Sequence, residues 1–196
     1  MFKLRSGIEL ILASASPRRL ELLTGAGLKF KVIAPDVDES QLPGESPQQM
    51  TERLALLKAG SIAEANRSAW ILAADTIVVL DGEVLGKPSG PKEAEEMLSR
   101  IQGRYHTVIG GFAIVNASSN VSHAEVHSSR VKMAALTPEM AARYVKTGEP
   151  LDKAGSYAIQ GIGAGLVEEV QGSYTNVVGL NLSAVLAAFK RLELLN

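Results

Sequence analysis

The sequence contains no cysteine, which excludes disulfide bonds, thiolate metal ligands and thiol catalysis. Aromatic residues are scarce, at 5% of the 196 residues. No charge of one sign prevails, because 20 Lys and Arg stand against 21 Asp and Glu, for a formal net charge of −1. This balance argues against a protein that coats nucleic acid or an anionic membrane. It does not exclude a small site where several cations meet one phosphate group.

Long apolar runs are missing as well. The run over residues 8–13 is too short for the core of a signal peptide, and no stretch approaches the length of a bilayer span. We therefore expect a cytoplasmic protein with no membrane partner. Hydrophobic residues make up 46% of the chain, enough for one domain over residues 1–196 with a well-packed core.

Strand-like and helix-like segments alternate, which predicts an α/β fold. Ser16-Pro17 and Ser46-Pro47 combine an N-cap with a first-turn proline, and Asp81-Gly82 is typical of a hairpin turn. Residues 172–176 are interpreted as a hairpin or loop. Strands are predicted at 9–13, 28–32, 70–74, 77–80, 83–85, 106–115 and 121–133, and helices at 17–25, 47–65, 91–101, 138–147 and 183–195.

The segment 14–19, Ser-Ala-Ser-Pro-Arg-Arg, breaks a local rule. Arg18 and Arg19 lie in the first turn of a predicted helix, where the helix dipole favours acidic residues. A bound phosphate removes the conflict, because backbone N–H groups, the Ser14 hydroxyl and the guanidinium groups then converge on one anion. The alternative is an exposed helix start with solvated arginines.

Asp75 interrupts an apolar segment between two predicted strands. A carboxylate at the end of a buried strand must be paired, hydrated or functional, and ligand crevices form at strand ends in α/β sheets. Asp75 is therefore a candidate metal ligand or general base. The alternative is an Asp that closes a turn through hydrogen bonds to nearby backbone N–H groups.

Three lysines, Lys58, Lys87 and Lys153, and one glycine-rich segment are weaker candidates. Each lysine alone is more often a solvated surface charge. Glycines in the segment 155–165 permit close approach of the backbone to a ligand, and Gln160 offers a donor and an acceptor to a base edge. His106 is at most a supporting group, and the spacing of two further histidines, at 123 and 127, does not match a zinc motif.

Together these motifs resemble the Maf family of nucleoside triphosphate pyrophosphatases, from about Leu10 to Leu182. The motifs that carry the resemblance are Ser14 to Arg19, Asp38-Glu39, Glu52-Arg53-Leu54 with Lys58, Ala74-Asp75-Thr76, Gly86-Lys87-Pro88, Asp152-Lys153-Ala154-Gly155, Ile159-Gln160-Gly161 and Asn176 to Leu180.

The resemblance implies the fold of the inosine-triphosphate pyrophosphatases, a long mixed sheet with flanking helices in two lobes around a cleft. It implies hydrolysis of dTTP and UTP to a monophosphate and pyrophosphate, a house-cleaning role in nucleotide metabolism. Asp75 would be the proton acceptor, with Glu39, Lys58 and Lys87 as further catalytic residues. Phosphate binding would fall to Ser14, Arg18, Arg19 and Lys153, and substrate specificity to Arg18, Thr76 and Gln160.

The resemblance also implies a divalent cation, Mg²⁺ or Mn²⁺, for which Glu39 and Asp75 are the candidate ligands, and a homodimer. We expect a nucleoside triphosphate as the partner and no nucleic acid. The alternative function is a nucleotide-binding regulator of cell division with little catalysis, because the family has been linked with septum formation.

Overall fold

A computed structural model describes residues 2–196, and its alternating strands and helices confirm the predicted α/β class. The strands are β1 Leu10–Ala13, β2 Lys31–Ile33, β3 Trp70–Leu80, β4 Glu83–Leu85, β5 Tyr105–Asn116, β6 Val121–Met133 and β7 Val167–Gln171. The helices are α1 Pro17–Gly25, α2 Pro47–Ala63, α3 Pro91–Ile101, α4 Pro138–Lys146, α5 Tyr174–Val178 and α6 Leu182–Arg191. Short 3₁₀ turns lie at Glu64–Asn66, Glu149–Asp152, Ala154–Ser156 and Gly161–Leu166.

The strands form one mixed sheet in the order β2-β1-β3-β5-β6-β7, with β4 paired to β3. Strand β1 runs parallel to β2 and β3, while the β3–β4 and β6–β7 pairs are antiparallel. A parallel pair needs a crossover connection, which the helical segments α1 and α2 supply.

Local signals in the sequence set several boundaries. Ser46 accepts a hydrogen bond from the backbone N–H of Gln49, and the Gln49 side chain accepts one from the backbone of Ser46, which is a complete capping box. Asp81 and Gly82 have φ angles of 52° and 86° and join β3 to β4 as the predicted two-residue turn.

Other boundaries were predicted wrongly. Strand β3 is continuous through Asp75, because the charge of that side chain is paired and the backbone ladder need not break. Strand β2 begins only at Lys31, where it meets Ile11 of β1. Residues 172–176 were predicted to form a hairpin or loop, but α5 begins within them at Tyr174. The Ser173 hydroxyl accepts from the N–H of Asn176 and caps the helical turn.

The described chain divides into two compact units. The first comprises the chain up to Asp75, Gly110–His127 and Gly179–Asn196, and the second comprises Thr76–Ile109 and Ser128–Val178. Boundaries between the units therefore fall within β3, β5 and β6 and directly after α5. The single domain over residues 1–196 stays a prediction.

The first unit buries both faces of its strands, as alternating side chains require. One face packs against α6 and the other against α2. The α6 side is built from large residues such as Leu12, Phe112 and Phe189, whereas the α2 side is lined largely by alanines. Small side chains let α2 lie close to the sheet.

The second unit packs α3 and α4 with the remaining parts of the strands. Its core includes Leu98 of α3, Val145 of α4, and Leu80, Val108 and Val131 from the strands. Within residues 2–196, none of the helices has the length and apolar character needed to cross a membrane.

Substitution by alanine should have opposite effects on stability at two glycines of the first unit. A Cβ added to Gly111 would lie 2.9 Å from the carbonyl oxygen of Thr51, so Gly111→Ala should lower the free energy of unfolding by about 1–3 kcal/mol. At Gly60, on the exposed face of α2, a Cβ would meet nothing within 4 Å among the described residues. Gly60→Ala should therefore raise stability by up to about 1 kcal/mol. Urea unfolding measures both, and equal effects would contradict the close approach of α2 to β5.

Candidate functional site

Helix α2 and strand β3 bring an ammonium group to a carboxylate in the first unit. Ala73 and Asp75 lie on one face of β3, because side chains two residues apart share a face. Lys58 shares the buried face of α2 with Ala55 and Ala59, which lie three residues before and one after it. The alanines bring the helix close to the strand, so the Lys58 side chain reaches Asp75.

The ammonium group of Lys58 joins two carboxylates. Its Nζ donates to Oδ1 of Asp75 and to Oε2 of Glu39, each at 2.7 Å. The side chains of Lys58 and Asp75 are only 6% and 9% exposed, while that of Glu39 is 57% exposed. Buried charges are stable only when paired. The structure thus unites three predicted residues, and the alternative of Asp75 as a turn-closing residue is wrong.

Arg53 supports this arrangement, although no role was assigned to it from the sequence. Its guanidinium binds both carboxylate oxygens of Glu45, at 2.6 and 2.8 Å, and donates to the carbonyl oxygen of Ser40 at 3.0 Å. The loop that carries Glu39 is therefore tied to α2, the same helix that carries Lys58. Arg53 was noted only as part of the motif Glu52-Arg53-Leu54, whose spacing does not point to Glu45.

Arg19 is held in place at the start of α1. Its Nε donates to the carbonyl oxygen of Gly179 at 2.9 Å, and its Nη1 donates to the hydroxyl of Ser14 at 3.2 Å. The Ser14 hydroxyl also accepts from the backbone N–H of Ser16 at 3.2 Å. Arg19 is therefore not one of the solvated arginines of the alternative interpretation.

The electrostatic environment of Arg19 links it to the cluster of Lys58, Asp75 and Glu39, which we call the Lys58 centre. Burial lowers the pKa of the Arg19 guanidinium, and the charge of Arg18 lowers it further, while the carboxylates of Asp75 and Glu39 act in the opposite direction. An arginine remains charged through such shifts. In the first unit, Arg19 thus lies within electrostatic reach of the two carboxylates that Lys58 joins, and Arg18 lies within reach of Arg19.

Four predicted residues belong to the second unit. Thr76 and Gln160 are half-buried, and Lys87 is exposed in the segment after β4. Lys153 pairs with Asp152 and donates to the carbonyl oxygen of Glu149 at 3.2 Å. Glu149 was not predicted as a site residue. In the sequence, only the glycines near Gln160 indicated that another group approaches the backbone there.

His106 of β5 is buried in the second unit, where its Nε2 lies 2.7 Å from the hydroxyl of Tyr157. Burial lowers the pKa of His106 to about 4, so the ring is neutral at pH 7. The supporting role of His106 stays a prediction. The two other histidines share Glu125 as a hydrogen-bond partner on β6.

A divalent cation fits the carboxylates only in one coordination mode. Among residues 2–196, no three His, Asp or Glu side chains form a cluster able to hold a metal ion. Mg²⁺, however, commonly binds one or two carboxylates and completes its shell with substrate phosphates and water. Glu39 and Asp75 match that mode, because each contacts Lys58 through one oxygen and carries a second.

Residues 9–192 match a family described as Maf-like protein. A protein of Syntrophotalea carbinolica named dTTP/UTP pyrophosphatase is 46% identical over 95% of this chain and 85% of its own. One of Symbiobacterium thermophilum with the same name is 50% identical over 89% of each chain. A third, from Dictyoglomus thermophilum, is 45% identical over 94% of this chain and 96% of its own.

Among solved structures, the Ham1 protein of Staphylococcus aureus superposes with a TM-score of 0.52. The match covers 94% of this chain and 99% of that chain at 17% identity. At this level of identity the likeness concerns the fold alone, and it confirms the predicted fold class.

The Lys58 centre generates a stability prediction. Lys58→Met removes the ammonium group and leaves the buried Asp75 carboxylate without its hydrogen-bonded cation, so the free energy of unfolding in urea should fall by about 3–5 kcal/mol. Lys31→Met is the matched control in the same unit. Lys31 pairs with Glu9, but its side chain is 73% exposed, so its loss should change stability by less than about 1 kcal/mol.

The double variant Lys58→Met/Asp75→Asn separates pairing from packing. Removing both charges should restore most of the stability that Lys58→Met loses, because no unpaired carboxylate then remains in the core. If the double variant instead loses as much stability as the two single variants added together, the two charges do not stabilise each other in the core.

Proposed function

The chain belongs to the Maf-like protein family, and from this we propose that it is a nucleoside triphosphate pyrophosphatase that hydrolyses dTTP and UTP. Relatives at 45–50% identity, matched over about nine-tenths of the chain, bear that name and support the proposal. They do not support the alternative of a regulator without catalysis. The observation that carries the chemistry is the buried Asp75 carboxylate held by Lys58.

Asp75 is the proposed proton acceptor. Its Oδ1 is engaged by Lys58, and its second oxygen orients a water molecule and takes a proton from it. The resulting hydroxide oxygen bonds to the α phosphorus, and the bond from that phosphorus to the α–β bridging oxygen breaks. The electron pair leaves with pyrophosphate, and the other product is the nucleoside monophosphate.

The cations have the second role, because the leaving pyrophosphate carries several negative charges. Arg18, Arg19 and the Ser14 hydroxyl, at the start of α1, are proposed to bind phosphate. The anchoring of Arg19 by Gly179 supports this role, since a fixed guanidinium loses little side-chain entropy on binding. We also assign phosphate contacts to Lys87 and Lys153, on the resemblance alone.

A divalent cation, Mg²⁺ or Mn²⁺, is proposed to bind Glu39 and substrate phosphate oxygens directly, and Asp75 through the water molecule that Asp75 deprotonates. When bound, it would neutralise charge on the phosphates. Lys58 keeps the two carboxylates side by side before any ligand arrives.

Base selection is assigned to Gln160, with Thr76 and Arg18, as the resemblance implies. The amide of glutamine offers a donor and an acceptor, which suits the alternating groups on the edge of uracil or thymine. A homodimer and a cytoplasmic location remain predictions of the resemblance and the sequence.

The proposal predicts a specific product and a specific order of substrates. With Mg²⁺, the chain should release pyrophosphate from dTTP and UTP at least about tenfold faster than from dATP, GTP or 7-methyl-GTP, because one amide contact to a base is worth about that factor. Phosphate release coupled to inorganic pyrophosphatase measures the rate. Reactions without the coupling enzyme are the control and should release no phosphate.

Each contrary result has a distinct meaning. A preference for purine nucleotides would contradict the role of Gln160. Phosphate release without the coupling enzyme would place cleavage at the β–γ bond. Tight binding of dTTP with no release of pyrophosphate would contradict the enzyme activity and favour the alternative function, a nucleotide-binding regulator.

A further inference from the structure

Glu149 and Tyr144 of the second unit hold the segment that carries Gln160. The Tyr144 hydroxyl accepts from the backbone N–H of Ala158 at 3.0 Å and donates to Oε2 of Glu149 at 2.8 Å. The same carboxylate accepts from the backbone N–H of Ile162 at 2.9 Å and from that of Gly163 at 2.8 Å. Backbone groups on both sides of Gln160 are thus tied to one linked pair of side chains.

The hydrogen bonds favour the charged form of Glu149. Burial alone would raise the pKa of its carboxyl group, but the bonds from Tyr144, Gly163 and Ile162, with the nearby charge of Lys153, hold that pKa below its usual value. Hydrogen bonds to a charged acceptor are about twice as strong as neutral ones. The carboxylate is therefore a strong anchor for the backbone it binds.

Glycine is required where the carboxylate approaches the backbone. A Cβ on Gly161, whose φ is +65°, would lie 2.1 Å from Oε1 of Glu149. A Cβ on Gly163 would lie 2.4 Å from the Tyr144 hydroxyl and from the carbonyl oxygen of Ala158. The segment is thus shaped to receive these two side chains, and the glycines noted in the sequence serve this contact.

The hydrogen bonds to Tyr144 and Glu149 leave only a short stretch of backbone around Gln160 unbound by them. Only residues 159–161 lie between the bound N–H groups of Ala158 and Ile162, with half-buried Gln160 at the centre. Further back along the segment, the backbone N–H of Gly155 donates to the carbonyl oxygen of Gly86 at 3.0 Å, and Tyr157 contacts His106. A backbone fixed at both ends restricts where the Gln160 amide can point.

We propose that Glu149 is a positioning residue for base selection, which acts by fixing the backbone on both sides of Gln160. This rests on the proposed function, from which the role of Gln160 is taken. Glu149 sets the affinity for the pyrimidine base and not the rate of proton abstraction from the attacking water, which is assigned to Asp75 of the first unit.

Glu149→Gln is the test variant, because it keeps the size of the side chain. An amide has one acceptor oxygen, so one backbone N–H would face an NH₂ group instead of an acceptor. KM for dTTP should rise about tenfold with kcat within about twofold, and the dTTP-to-dGTP ratio of kcat/KM should fall toward that of Gln160→Ala. Glu168→Gln is the matched control, an exposed glutamate on β7 of the same unit, and should leave both quantities unchanged.

Amide hydrogen exchange without nucleotide gives a readout independent of catalysis. In Glu149→Gln, exchange at Ile162 and Gly163 should accelerate at least about tenfold, and Tyr144→Phe should accelerate exchange at Ala158. Thermal melting checks that each variant is folded, and Tyr144→Phe replaces Glu149→Gln if the latter is not.

The outcomes separate the two proposals. If wild type prefers dTTP and Gln160→Ala loses that preference, while Glu149→Gln keeps it, the positioning role is overturned and the proposed function stands. A fall in kcat with unchanged KM would overturn it also. If wild type shows no preference among bases, the proposed function itself has failed, and this is evident before any variant is measured.

Discussion

The contact on which the site depends is the one between the ammonium group of Lys58 and the carboxylate of Asp75. Neither charge is stable in the core without the other, so their pairing fixes how α2 lies on β3. The alanines of α2 then follow from the same constraint, because larger side chains would hold the helix too far from the strand. Glu39 joins from a more exposed loop and brings a second carboxylate to the same ammonium group.

The two units hold their functional groups by different means. In the first, charged side chains constrain each other, and the loop with Glu39 is tied to α2 by Arg53. In the second, Glu149 constrains backbone N–H groups around Gln160. Ion pairing suits a group that must stay charged, whereas backbone anchoring suits a side chain that must point in one direction.

Much of the fold was predictable because its signals are local. The capping box at Ser46 and the Asp81-Gly82 turn each need only a few neighbouring residues. Features that depend on distant partners were not predictable. The sequence around Asp75 resembles a strand break, but the carboxylate is paired by Lys58, 17 residues earlier, and the strand continues through it. Glu149 was missed for the same reason, since its partners are N–H groups 13 and 14 residues away.

In the proposed reaction Asp75, held by Lys58, accepts the proton from the attacking water. The decisive experiment is the steady-state turnover of dTTP by Asp75→Asn, with nucleotide affinity measured separately by calorimetry. Asparagine keeps the shape but is not a base, so turnover should fall by about 10²- to 10⁴-fold with affinity within a few-fold of wild type. Turnover within about threefold of wild type in a folded Asp75→Asn protein would show that Asp75 is not the proton acceptor.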